Sequence, residues 1–114
     1  MATGVAMGAF GAHALKTRLS PGDMAIYEKA VLYQLTHALG IGIVALIGLT
    51  RTDLTQSSLL AGSVLLAGVL IFSGSLYLLV LTDTRWLGAI TPIGGSLLIA
   101  GWLILSAAIF RTTP

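Results

Sequence analysis

Residues 54–82, LTQSSLLAGSVLLAGVLIFSGSLYLLVLT, run from end to end without a charged side chain. Residues 86–110, WLGAITPIGGSLLIAGWLILSAAIF, do the same. A helix rises 1.5 Å per residue, so roughly 20 apolar residues cross the hydrocarbon of a bilayer. Both runs exceed that length. Strands of a membrane barrel alternate apolar and polar side chains over about ten residues, whereas residues 76–81 are almost continuously apolar. The runs therefore read as helices, which satisfy their own backbone hydrogen bonds inside lipid.

Composition agrees with a membrane solvent. Charged residues make up 9% of the 114-residue chain, where a soluble domain carries about 25%. The length leaves room for one domain, spanning residues 1–114, with little mass outside the bilayer. A formal charge of +2 is too small to suggest a nucleic-acid partner, and ordinary juxtamembrane cations account for it. Cysteine is absent, which removes disulfides, thiolate metal sites and thiol catalysis. The sequence has no phosphate-binding glycine loop with lysine, no nucleophile elbow and no HExxH. We expect neither an enzyme nor a cofactor, and His13 and His37 lack a spacing that suits a metal.

Two further hydrophobic segments lie upstream. The first covers residues 2–15 and reaches only about 22 Å as a helix, against a hydrocarbon core of roughly 30 Å. It is expected either to be short and buried among its neighbours or to be the curtailed end of a longer helix, which puts Met1 in question as the natural start. No basic stretch precedes it, so a cleavable signal peptide is not expected. A polar connection, KTRLSPGD at residues 16–23, follows, in which Ser20 suits a helix N-cap and Pro21 the first helical position. The expected architecture is a compact antiparallel four-helix transmembrane bundle with helices at about 2–15, 24–49, 57–81 and 87–110. Such a fold places Lys16, Arg18, Lys29 and Arg85 at one end and Arg51 and Arg111 at the other. The positive-inside rule assigns the first group to the cytoplasm.

Lipid tails are as apolar as leucine, so membrane helices associate through close backbone approach and interhelical hydrogen bonds. Glycines supply the first requirement: Gly4, Gly8 and Gly11 on the first segment, Gly40 on the second, Gly62, Gly68 and Gly74 on the third, and Gly94, Gly95 and Gly101 on the fourth. Pro92 lies near the start of the fourth segment and frees the carbonyl of Gly88, which the Thr91 hydroxyl or a water could satisfy. The alternative to simple packing is a broken helix start lining a ligand site.

The second requirement falls on the second segment. Tyr27, Tyr33, Gln34 and His37 share one helical face with the small residues Ala30 and Gly40, while Leu32, Leu35 and Leu39 occupy the opposite face. The polar stripe should point into the bundle, where His13, Ser73, Tyr77, Ser75 and Thr91 offer partners. Three readings stay open: a static polar core, a proton relay and a small polar binding pocket. In each, His37 is expected to hydrogen-bond across helices, to His13, Ser73, Tyr77 or an enclosed water.

The chain resembles the YgdD-like small membrane proteins, domain-of-unknown-function family 423. The resemblance rests on Gly8-Ala9-Phe10-Gly11-Ala12-His13, on Tyr33-Gln34 with His37, on Phe72-Ser73-Gly74-Ser75-Leu76-Tyr77, and on Thr91-Pro92-Ile93-Gly94-Gly95 with Gly101-Trp102. It implies a multi-pass protein of a bacterial cell (inner) membrane, with no established activity, substrate or cofactor. Family members carry more apolar residues ahead of the first motif than precede Gly8 here. The leading expectation is a structural or binding protein, or a small subunit of a membrane assembly. Its partners would be the lipid bilayer, further copies of itself or a larger membrane complex. The rival is a small transporter or channel for protons or a small polar solute.

Overall fold

A computed structural model describes residues 1–112. Helix α1 (Ala2–Phe10) continues into a π-helical turn at Gly11–Leu15, and α2 (Pro21–Thr50) follows. A 3₁₀ turn at Thr52–Leu54 leads into α3 (Thr55–Thr82), and a second at Arg85–Ala89 precedes α4 (Thr91–Thr112). No strand occurs among the described residues. The protein is an all-α membrane bundle. Helices α2, α3 and α4 are long and apolar enough to cross a bilayer, whereas α1 has nine residues.

Local chemistry sets the helix ends. Ser20 Oγ accepts the Asp23 backbone N–H at 3.1 Å, and Pro21 occupies the first helical position of α2. Helix α3 ends at Asp83, which takes the left-handed conformation (φ 53°) that usually falls to glycine. The Thr84 N–H then closes back on Leu79 O at 3.1 Å. The expected fourth segment divides in two, because the chain makes a 3₁₀ turn before α4 begins at Thr91. Pro92 thus sits in the first helical turn, where a missing N–H removes no intrahelical bond. The Thr91 hydroxyl reaches Leu87 O at 3.4 Å rather than the Gly88 carbonyl.

Successive helices run antiparallel, and their registers can be read from close approaches. Gly4 faces Leu35, Gly8 faces Val31 and Gly11 faces Tyr27 between α1 and α2. Gly48 meets Ser58 and Gly62 meets Val44 between α2 and α3; Gly68 meets Leu98 and Gly101 meets Leu65 between α3 and α4. Helix α3 lies between α2 and α4, and α1 rests chiefly on α2. The bundle is consequently a flattened slab, with Cα extents of 54 × 26 × 16 Å. Its core joins Val44 of α2, Ala61, Leu65 and Val69 of α3, and Leu98 and Leu105 of α4. A second cluster at the α1 end gathers Leu15, Tyr27, Leu79 and Val80. Leu32, Leu46, Leu70 and Leu103 stay exposed, as side chains solvated by lipid should.

The glycines explain the tight α3–α4 contact. A Cβ on Gly94 would collide with the Phe72 backbone nitrogen and come within 2.8 Å of Gly68 O. A Cβ on Gly101 would lie 2.6 Å from Leu65 Cγ and 3.2 Å from Ala61 O. Gly4 and Gly11 similarly make room for the Leu35 side chain and the Tyr27 ring, while Gly8 and Gly95 stand at looser contact with Val31 and Phe72. Gly74 departs from the expectation: nothing lies within 4 Å of its Cβ position. Its neighbours in sequence, Ser73 and Ser75, are the buried ones, and Gly74 points away from both flanking helices.

The slab's two ends carry the charges. Arg85 bridges Asp23 of α2 and Asp83, each at 2.6 Å, and so ties the start of α2 to the α3–α4 connection. At the other end Arg51 pairs with Asp53 at 2.7 Å and reaches Thr112 Oγ1 at 3.3 Å.

Candidate functional site

The stripe on α2 faces inward as its spacing suggests, yet its members do not form one network. They divide into short closed groups. Nearest α1, Tyr27 is 1% exposed and its hydroxyl donates to Met7 O at 2.7 Å. That bond lies beside Gly11, whose missing side chain admits the Tyr27 ring. Its target, Met7 O, is one turn before the π-helical turn. That carbonyl also accepts the Gly11 backbone N–H. The Tyr27 ring also packs against Tyr77, with centroids 5.2 Å apart.

Gln34 links three helices. The Tyr77 hydroxyl of α3 donates to Gln34 Oε1 at 2.7 Å, and Gln34 Nε2 donates to Thr3 Oγ1 of α1 at 3.0 Å. Ser73, buried on α3, donates to Ala30 O at 2.7 Å. This carbonyl acceptor belongs to one of the small residues of the stripe, where no α2 side chain stands in the way. On the far side of α3, Ser75 Oγ and Thr91 Oγ1 lie 2.7 Å apart and fasten α4. Ser75 also donates to Phe72 O at 3.0 Å.

Two expected members behave differently. His13 sits exposed in the π-helical turn and joins none of these groups. The turn rotates it away from α2 while Gly11 and Leu15 face inward. His37 is buried, at 8% exposure, but its bond is not made across helices. Nδ1 lies 2.9 Å from Tyr33 O, one turn back on α2 itself. A carbonyl oxygen only accepts, so Nδ1 carries a proton, and in the neutral imidazole the lone pair is on Nε2. What His37 meets across helices is an aromatic ring, that of Trp102 on α4, at a centroid separation of 6.3 Å.

His37 forms one wall of a groove of about 490 Å³ between α2 and α4. Phe72 of α3 contributes to the lining, with Leu32, Tyr33, Thr36, Leu98, Ile99 and Trp102 around it. Tyr33 stacks on Phe72 (centroids 4.2 Å, 20° between planes) and on His37 (5.6 Å, 23°). Trp102 closes one end by reaching to Gly40, whose Cβ would stand 2.7 Å from its ring. Thr36 has turned its hydroxyl onto Leu32 O at 2.7 Å. Among the described residues no three His, Asp or Glu side chains converge as metal ligands would.

Sequence reasoning missed Thr3 and Trp102 as site residues. Trp102 was visible only as a neighbour of Gly101. The signal that finds it is register: Trp102 is opposite Gly40, a glycine on the stripe face with no partner on α1. Thr3 follows in the same way, since it neighbours Gly4, and Gly4 faces Leu35 beside Gln34.

A family model described as a protein of unknown function, DUF423, matches residues 7–95. Curated relatives carry the name UPF0382 membrane protein. One from Staphylococcus haemolyticus is 52% identical over 94% of this chain and 85% of its own length. Another from Staphylococcus epidermidis is 50% identical with the same coverage, and one from a bovine strain of Staphylococcus aureus is 45% identical, again with that coverage. No solved structure matches the chain. The sequence, the three helices long and apolar enough to span a membrane and the relatives' names agree on an integral membrane protein of bacterial type.

Proposed function

Because this chain belongs to the DUF423 family of membrane proteins, whose function is unknown, we propose that it is a non-enzymatic structural subunit that works inside the bilayer. The observation that carries this reading is the closure of its polar groups. Tyr27 ends on Met7 O, Ser73 ends on Ala30 O, Ser75 and Thr91 face each other, and Tyr77, Gln34 and Thr3 form a line that stops at α1. A proton relay needs donors and acceptors in an unbroken series, and a catalytic site needs a base beside a nucleophile. Separate closed groups instead fix helix register. The slab leaves broad apolar faces on α2 and α4, so the partners suited to it are lipid, another membrane protein or a second copy.

The test is to extract the full chain from its membrane without detergent and weigh the resulting lipid particle. A mass above one protein copy, or a second protein in the particle, is the expected result. A strictly single-chain particle would remove the assembly role. Proteoliposomes address the rival transporter reading. Proton flux no greater than in protein-free vesicles is expected, whereas flux that falls in Gln34→Leu would overturn the static core.

A further inference from the structure

We infer that the groove between α2 and α4 binds a lipid-soluble ring compound carrying a hydroxyl group, held by the imidazole of His37. This goes beyond the structural role and stands on a separate observation, the unused edge of His37. The ring is more than nine-tenths buried. Its Nδ1 is committed to Tyr33 O, and Nε2 has no hydrogen-bond partner among the described residues. Nor is Nε2 enclosed: among the described residues, the fully enclosed side-chain polar atom without a partner is Ser58 Oγ. His37 lines the groove, and Nε2 lies on the ring edge that Tyr33 O does not engage.

Depth and polarity select the ligand. His37 lies near the middle of α2, and Trp102 near the middle of α4, so the groove opens at the depth of the hydrocarbon and not of the headgroups. Leu32 and Ile99 on its rim are 61% and 65% exposed, which makes lipid the route of entry. An acyl chain would fill the space but leave the imidazole lone pair unpaired in an apolar medium, which is unfavourable. The lone pair on Nε2 calls for a donor, which excludes ethers, esters and unreduced carbonyl compounds as its partner. A hydroxyl supplies one donor with little else to desolvate. The near-parallel rings of Phe72, Tyr33 and His37, with Trp102 opposite, favour a flat ring over a flexible chain. The volume lies within the roughly 300–1,000 Å³ common for small-molecule sites. Phenols and quinols with an apolar tail have this chemistry.

The chain contains two histidines, one in the groove and one exposed, so histidine ¹⁵N spectra carry an internal reference. The full chain, labelled in histidine and embedded in lipid nanodiscs, is titrated with 4-hexylphenol and, separately, with its methyl ether, 4-hexylanisole. The phenol is expected to move the His37 Nε2 signal saturably while His13 stays fixed, and the ether to bind at least about tenfold more weakly, a gap of roughly 1.4 kcal/mol. Leu32→Trp, which blocks the mouth from the lipid side without touching the core, is expected to abolish the phenol response. A reserve against misfolding is built in, because the wild-type pair of titrations decides the matter alone. No saturable movement, an equal response to the ether, or equal movement of both histidines would overturn the inference. A His37 signal that shifts with protein-to-lipid ratio and not with the phenol would also overturn it, and would assign the groove to a second copy. Particle mass, weighed on the same sample, reports the assembly role independently.

Discussion

The Tyr77 hydroxyl donates to Gln34 Oε1 at 2.7 Å, and both side chains are only partly buried in the slab. Gln34 spends its amide N–H on Thr3, so one side chain on α2 holds α3 with its oxygen and α1 with its nitrogen. Helix α1 has nine residues, and among the described residues the bonds to Gln34 and Tyr27 are its polar attachments to the slab. Fixing an otherwise peripheral helix is a job for directional bonds, because dispersion alone leaves its rotation and slide weakly specified.

Tyr27→Phe deletes the hydroxyl that reaches Met7 O while preserving the ring that fills the space at Gly11. The expected result is a loss of about 1 kcal/mol, concentrated in α1. Hydrogen exchange should show faster exchange for residues of α1 and the π-helical turn, with α3 and α4 unchanged. Uniform acceleration across all four helices would mean that α1 is not a separable element.

Gly94→Ala and Gly74→Ala place the same methyl group on the two helices of one interface with opposite expected outcomes. At Gly94 the methyl meets backbone of α3, at Phe72 and Gly68, and backbone cannot rotate aside. Overpacking of this kind costs about 1–3 kcal/mol. At Gly74 the methyl meets open space, and the gain in helix propensity over glycine is up to about 1 kcal/mol. Thermal unfolding in a fixed detergent checks both: the midpoint should fall for Gly94→Ala and hold or rise for Gly74→Ala.

Asp23→Asn removes one carboxylate from Arg85, which keeps Asp83 as a partner. Arg85 is more than half exposed, so solvent screens the pair and the expected loss is small. Raising the salt concentration should shrink the difference between wild type and variant. A large, salt-insensitive loss would place this ion pair in a drier setting than the end of the slab.

Much of this fold is legible in the sequence because lipid simplifies the problem. Uncharged runs fix α3 and α4, Ser20-Pro21 marks the start of α2, and charge clusters mark the turns. Glycine spacing finds the faces of Gly94 and Gly101, since close backbone approach leaves few alternatives. Gly74 misled because spacing cannot say which of two adjacent small residues, Gly74 or Ser75, faces the neighbour. The stripe on α2 marks the face that carries Tyr33, Gln34 and His37, yet it did not give their partners. Pairing depends on how far α1 slides along α2, and the π-helical turn, which carries His13 outward, has no periodicity to announce it. His37 shows the same limit: a backbone carbonyl one turn away is always in reach, and it competes with any partner on another helix.

The most direct measurement is a double-mutant cycle on Gln34 and Tyr77, with stability read by unfolding in a fixed lipid or detergent mixture. Tyr77→Phe alone leaves Gln34 Oε1 without its donor, and Gln34→Leu alone strands the Tyr77 hydroxyl. Each should lose about 0.6 kcal/mol, the average for interhelical hydrogen bonds in membranes, and at most about 1.7 kcal/mol. The double variant should lose clearly less than the two losses combined, giving a coupling of at least about 0.5 kcal/mol. Strictly additive losses would contradict a structural core built on these closed polar groups.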